Sequence, residues 1–138
     1  MGKILGIDFG LKRTGLAITD DLKIIASGLE TVASDQLIEV LKRYVDSESV
    51  ECFVIGQARR GNGELSAIEA NILELIKVLK AKFPNVEIRR QDERFTSKLA
   101  FDAMLQGGVK KKDRRNKQKG LVDKVSATLI LQAFIENQ

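Results

Sequence analysis

The run Glu51-Cys52-Phe53-Val54-Ile55-Gly56 constrains the fold of this chain more than any other stretch. A nearly continuous apolar segment of this length reads as a strand buried on both faces, which places it centrally in a sheet with helices on either side. The flanking sequence supplies the partners. Lys3 to Asp8 is an apolar run of strand length, broken at Gly10. Thr14 to Thr19 is a second strand, ended by Asp20-Asp21, and Lys23 to Val32 gives a third through Ile24, Ile25 and Leu29. Connections this short fit an antiparallel meander.

Helical spacing takes over after the third strand. Ser34 is placed to cap a helix from Asp35 to Tyr44, with Leu37, Ile38, Leu41, Tyr44 and Val45 on the face that packs on the sheet. After the loop Gln57 to Gly63, a helix from Glu64 to Phe83 carries Ile68, Ile72, Leu75, Ile76 and Leu79 on one stripe, and Pro84 stops it. Val86 to Gln91 is a fifth strand. A helix from Ser97 to Leu105 ends at Gly107-Gly108, and a basic loop follows. A last helix, Gly120 to Glu136, buries Val122, Val125, Leu129, Ile130, Ala133 and Phe134. A meander joined to strand-helix-strand crossovers predicts an α/β fold: a mixed five-stranded sheet, three antiparallel strands then two parallel, flanked by helices. At 138 residues this is one domain, 1–138.

Composition then removes several chemistries. The chain has no histidine and one cysteine, Cys52, so His-containing triads, His metal ligands, multi-cysteine zinc sites and an internal disulfide are all excluded. Carboxylates, lysines and hydroxyls are left. No run approaches the roughly 18 apolar residues of a membrane span. Met1-Gly2-Lys3 enters a strand-like run without a secretory pattern, so the expected location is the cytoplasm. The formal charge of +4 is concentrated in Lys110 to Lys119, KKKDRRNKQK; without that decade the chain carries 16 basic and 18 acidic residues, a net of −2. Such a segment is either a solvated, flexible loop or a contact for a polyanion.

Three acids far apart in the chain stand where regular elements end or turn. Asp8 closes the first strand, Glu93 follows the fifth, and Asp123 lies in what the pattern makes the first turn of the last helix. Like charges brought into one small volume need a counter-charge, and oxygen-only ligands suit Mg²⁺ or Mn²⁺. Beside a basic segment, such a cluster points to metal-assisted cleavage of a phosphodiester. Each acid also has a plainer reading. Asp8 could cap the turn at Gly10, and Asp123 would be favoured by the helix dipole with or without a metal. Asp92 and Glu93 are adjacent and point to opposite faces of an extended strand, so only one of them easily serves as a ligand.

The opening Ile4-Leu5-Gly6-Ile7-Asp8-Phe9-Gly10 with Lys12-Arg13 and Gly15 resembles the YqgF family, also called RuvX. So do Asp92-Glu93-Arg94-Phe95 followed by Thr96-Ser97, and Lys119 four residues before Asp123. The resemblance runs through the whole chain. It implies a ribonuclease H-like fold and one of two activities: maturation of the 5′ end of pre-16S ribosomal RNA, or resolution of Holliday junctions. It also implies Asp8, Glu93 and Asp123 as the catalytic, metal-holding acids, with Asp92 in a supporting or turn role. In one place the chain departs from the family: Gly56 is followed by Gln57-Ala58-Arg59-Arg60-Gly61-Asn62-Gly63 instead of the usual Gly-Leu-Pro.

The remaining candidates are substrate contacts. Arg94 and Lys119 could pair with a carboxylate or reach phosphate. Lys12, Arg13, Arg59, Arg60, Lys110, Lys111, Lys112, Arg114, Arg115 and Lys117 could line the approach to the acids as a nucleic-acid interface. Thr96 and Ser97 read as helix caps, and Cys52 as a buried apolar residue. Phe9 and Phe95, beside the acids, are either core residues or base-stacking platforms. The expected activity is a Mg²⁺- or Mn²⁺-dependent nuclease acting on structured precursor rRNA. The alternatives are a four-way DNA junction, whose two-fold symmetry calls for a dimer, or a nucleic-acid-binding module without turnover.

Overall fold

The expected strand pattern produces a five-stranded sheet among the residues that the structure, a computed structural model, describes: 2–57, 68–92 and 114–136, with the backbone alone for 92 and 114–124. The strands are β1 (Lys3–Asp8), β2 (Arg13–Thr19), β3 (Ala26–Ala33), β4 (Val50–Gln57) and β5 (Glu87–Asp92), in the order β3-β2-β1-β4-β5. β1, β2 and β3 form the antiparallel meander; β4 and β5 add in parallel beside β1. β4 is therefore an interior strand, as its composition requires, while β1 holds the middle of the sheet.

Alternation along the strands sends side chains into two cores. Leu5, Ile7, Leu16, Phe53 and Ile55 face one side, where α1 (Leu37–Glu48) and α2 (Glu69–Lys82) contribute Leu37, Val40, Leu41, Ile72 and Leu79. Ile4, Ala17, Cys52 and Val54 face the other, covered by α3 (Arg114–Glu136) through Ala127, Ile130, Leu131 and Phe134. Two covered faces explain the unbroken apolar run of β4. At Gly6 the helix comes so close that an added Cβ would lie 2.9 Å from Leu131 Cβ and 3.1 Å from the Ala127 carbonyl oxygen.

Several boundaries differ from the pattern-based reading. The third strand starts at Ala26, not Lys23. The carboxylate of Asp20 accepts the backbone N–H groups of Ile24 and Ile25 at 2.8 and 3.2 Å, and Lys23 takes a positive φ of 59°. That turn leaves Ile24 and Ile25 on the surface. Ser34 does not cap α1: its hydroxyl donates to Gly10 O, and a short 3₁₀ turn, Ser34–Gln36, precedes the helix, which runs on to Glu48. α2 begins at Glu69; the earlier start expected at Glu64, and the helix expected over Ser97–Leu105, fall on residues outside those described.

The largest difference is at α3. It starts at Arg114, so the second half of the expected basic loop, Arg114 to Lys119, is helical and Gly120 lies within the helix. Arginine, lysine and glutamine are good helix formers, and one interior glycine costs only about 1 kcal/mol, which tertiary packing overrides. The buried face is also turned: Ala127 and Leu131 are buried, and Val125, Leu129 and Ala133 only half-buried.

Candidate active site

The parallel strands β1, β4 and β5 end together. Ile7 pairs with Ile55, and Gly56 and Gln57 pair with Gln91 and Asp92, so Asp8 closes its strand level with the ends of the other two. In open α/β sheets, ligands bind along this carboxyl edge. Asp8 is half-buried and shares the parity of Ile4 and Gly6, which puts it on the face that α3 covers.

α3 runs opposite to β1. Phe134 lies with Ile4 and Cys52 at the start of the strands, and Ala127 and Leu131 cross Gly6. Position 123, one turn before Ala127, is about 6 Å further along the helix axis. Asp8, two residues beyond Gly6, is about 6.6 Å further along the strand in the same direction. The helix therefore carries the backbone of Asp123 toward the edge where Asp8 stands.

That position corrects one expectation: Asp123 is well inside α3, not in its first turn, so the helix dipole, which acts within the terminal turn, does not account for an acid there. Lys119 is likewise helical, one turn before Asp123 and on the same side. Asp92 is the last residue of β5. In that strand Ile88 and Arg90 face α1 and α2, while Glu87 and Arg89 line a cavity with Phe134 on the α3 face. Glu93, Arg94, Phe95, Arg59, Arg60, Lys110, Lys111 and Lys112 lie outside the described residues, and Arg114, Arg115 and Lys117 are placed by backbone in α3. Among the described residues no group of three metal-ligating side chains is assembled; the expected trio includes Glu93 and the side chain of Asp123.

Lys12 is exposed and Arg13 half-buried in the connection that follows Asp8, and Phe9 packs against the α1/α2 core as a structural aromatic. A second feature of the edge was not read from the sequence. The Arg90 guanidinium donates to both carboxylate oxygens of Glu69, at 2.9 and 2.7 Å, and to the carbonyls of Ile55 and Gly56, at 3.2 and 3.1 Å. Glu69, at the start of α2, is only 5% exposed. One planar cation thus ties the end of β4 and the start of α2 to β5. The signal was available: Glu69 interrupts the apolar stripe of α2, and Arg90 shares the inward parity of Ile88.

The opposite edge of the sheet holds a cavity of about 290 Å³ lined by Ile4, Lys23, Glu51, Cys52, Glu87, Arg89 and Phe134. Its charges are paired, Lys23 with Glu51 and Arg89 with Glu87. Burial pushes the Cys52 thiol up to about 11, so it is a neutral, inert group. This cavity is remote from Asp8.

A family model described as "RuvX: Holliday junction resolvase" matches residues 2–137. A protein of Phocaeicola vulgatus named "Putative pre-16S rRNA nuclease" is 48% identical over 138 residues, covering 100% of this chain and 98% of that one. A protein of the same name from Flavobacterium psychrophilum is 49% identical over 135 residues, covering 98% and 97%. The fold is similar to that of Fowlpox virus resolvase in complex with Holliday junction DNA, with a TM-score of 0.59, 17% identity and coverage of 98% and 97%. It is also similar to Thermus thermophilus RuvC, with a TM-score of 0.52, 16% identity and coverage of 98% and 95%. These solved structures bear on the fold alone.

Proposed function

The chain belongs to the RuvX family of Holliday junction resolvases, and on that premise we propose that it is a divalent-metal-dependent nuclease whose site is the carboxyl edge of β1. The observation that carries the reading is Asp8: a half-buried carboxylate ending the middle strand, on the face along which α3 brings Asp123. Glu93 is favoured over Asp92 as the third acid, following the resemblance of the run Asp92-Glu93-Arg94-Phe95 to the family. An all-oxygen donor set of this kind fits Mg²⁺ or Mn²⁺, held by Asp8, Glu93 and Asp123. Bound there, the ion would supply activation of a water and stabilisation of the charge on the departing oxygen.

The chain's own groups have simpler tasks. Lys12, Arg13 and the cations of α3, Arg114, Arg115, Lys117 and Lys119, would hold the phosphodiester backbone by charge, with Arg59, Arg60, Arg94, Lys110, Lys111 and Lys112 extending that surface. Asp92 has a supporting role. Processing of the 5′ end of pre-16S rRNA is the preferred activity, following the names of the relatives that match over the full chain. Resolution of four-way DNA is the second reading, following the family's description. Among the described residues no helix is long and apolar enough to cross a membrane, and a cytoplasmic location is part of the proposal.

The test is to incubate the pure protein, with and without Mn²⁺, against precursor rRNA and a four-way junction in parallel. Metal-dependent cleavage of the RNA is expected, and cleavage of the junction alone would transfer the assignment to the second reading. Asp8→Asn should reduce cleavage by at least about a thousandfold with binding preserved. Cleavage at the wild-type rate by that variant, or tight binding by the wild type without any turnover, would overturn the proposal.

A further inference from the structure

The connection from β1 to β2, residues 9–12, begins directly after Asp8, and two of its carbonyls are tied to a single residue. Gly10 O accepts the hydroxyl of Ser34 at 2.5 Å, and Lys12 O accepts the Ser34 backbone N–H at 3.0 Å. The same hydroxyl lies 2.8 Å from Thr14 Oγ1, which is fully buried. Gly10 packs so tightly that an added Cβ would lie 2.4 Å from Arg13 O. Between the two tethered carbonyls stands Leu11, 66% exposed, with exposed Lys12 beside it.

Isolated surface leucines are ordinary. Leu11 differs in its bracing and in its address. Phe9, the aromatic side chain of this connection, is used in the core, so the exposed apolar group that this connection offers, three residues after Asp8, is the leucine. Water is a poor environment for it, and phosphates, which the adjacent lysine suits, do not cover it. A base face or sugar edge does.

We propose that Leu11 is an apolar wedge, which enters the nucleic acid beside the cleaved phosphodiester and packs on a base at an unstacked step. The inference rests on the nuclease reading of the Asp8 edge and adds a substrate feature to it. Side chains of this type act by inserting between base steps. A branch point, bulge or helix end offers such a step already open, whereas a continuous duplex has to be unstacked first. Because Ser34 holds the backbone on both sides, little ordering is needed when the wedge engages. The selectivity it confers is for an interrupted stack, in RNA or DNA alike.

The experiment compares Leu11→Ala and Leu11→Phe with the wild type on a bulged RNA duplex and a four-way DNA junction. Continuous duplexes of the same sequence serve as references, and each substrate carries 2-aminopurine at the interruption. Binding is followed in the Asp8→Asn background, where no turnover intervenes. The unaltered wedge should raise 2-aminopurine fluorescence at the interruption and Leu11→Ala should not. Leu11→Ala should also lower the preference for interrupted over continuous substrate by about tenfold, with Leu11→Phe restoring it. Equal fluorescence and equal preference in Leu11→Ala and wild type would overturn the wedge. Absence of metal-dependent cleavage by the wild type, with the fluorescence difference intact, would overturn the nuclease reading alone.

Discussion

Arg90 and Glu69 show how one charged pair shapes the edge on which Asp8 stands. A buried carboxylate is tolerated only when paired, and here the pairing is bidentate, with two further guanidinium N–H groups donated to the Ile55 and Gly56 carbonyls. Arg90→Met leaves Glu69 buried without its partner and should destabilise the protein by about 2–4 kcal/mol in urea titrations. Adding Glu69→Leu should recover much of that loss, because an apolar pair of similar volume carries no desolvation penalty. No recovery in the double variant would mean that the carbonyl contacts, and not the unpaired acid, dominate. Single residues were partly legible in the sequence: Asp8 at a strand end and Cys52 as an inert buried thiol were. The Arg90 clamp was legible only in its halves, an acid in the stripe of α2 and a cation at an inward position of β5, because apolar spacing does not say that two elements bring them together.

At the scale of elements, the packing of α3 on β1 decides whether Asp123 can serve the same site as Asp8. Gly6 is the contact that sets their spacing, with room for no more than a hydrogen before Leu131 Cβ. Gly6→Ala should cost about 1–3 kcal/mol by overpacking. Because α3 must lift or slide to admit the methyl group, cleavage should fall further than the residual folded fraction explains. Activity per folded molecule, measured below the melting transition, checks this; an unchanged value would uncouple the helix from the site. Element types followed from periodicity, as in α2, whose stripe Ile68, Ile72, Leu75, Ile76 and Leu79 packs on the core as expected. Boundaries followed less well. The Asp20 turn took Ile24 and Ile25 out of β3 by local hydrogen bonding, and the helix propensity of arginine, lysine and glutamine carried α3 back to Arg114; apolar spacing reports neither.

Across the whole molecule, stability is expected to carry a mark of how the α1 side is joined to the meander. Tyr44 of α1 donates its hydroxyl to the Glu30 carboxylate of β3, and burial together with that bond pushes the phenol up to about 12. A phenol held above its usual value of about 10 keeps its proton longer in the folded state than in the unfolded one. Its contribution is therefore fully present below pH 10 and is lost as pH rises toward 12. Thermal melts across that window should show a falling midpoint, and Tyr44→Phe should flatten the slope; an equal slope in both would assign the loss elsewhere. The sequence by itself determined the class of the molecule: a strand such as β4 has to be covered on both faces, so helices had to flank an α/β sheet. It also narrowed the chemistry, because a chain with no histidine and one cysteine leaves carboxylates, lysines and hydroxyls to act. Only the tertiary structure decided which face Asp8 shares with α3, how deep in that helix Asp123 lies, and that Ser34 braces the turn carrying Leu11. Those relations join residues distant in the chain through close approach and hydrogen bonding, and periodicity along one segment holds no information about the segment packed against it.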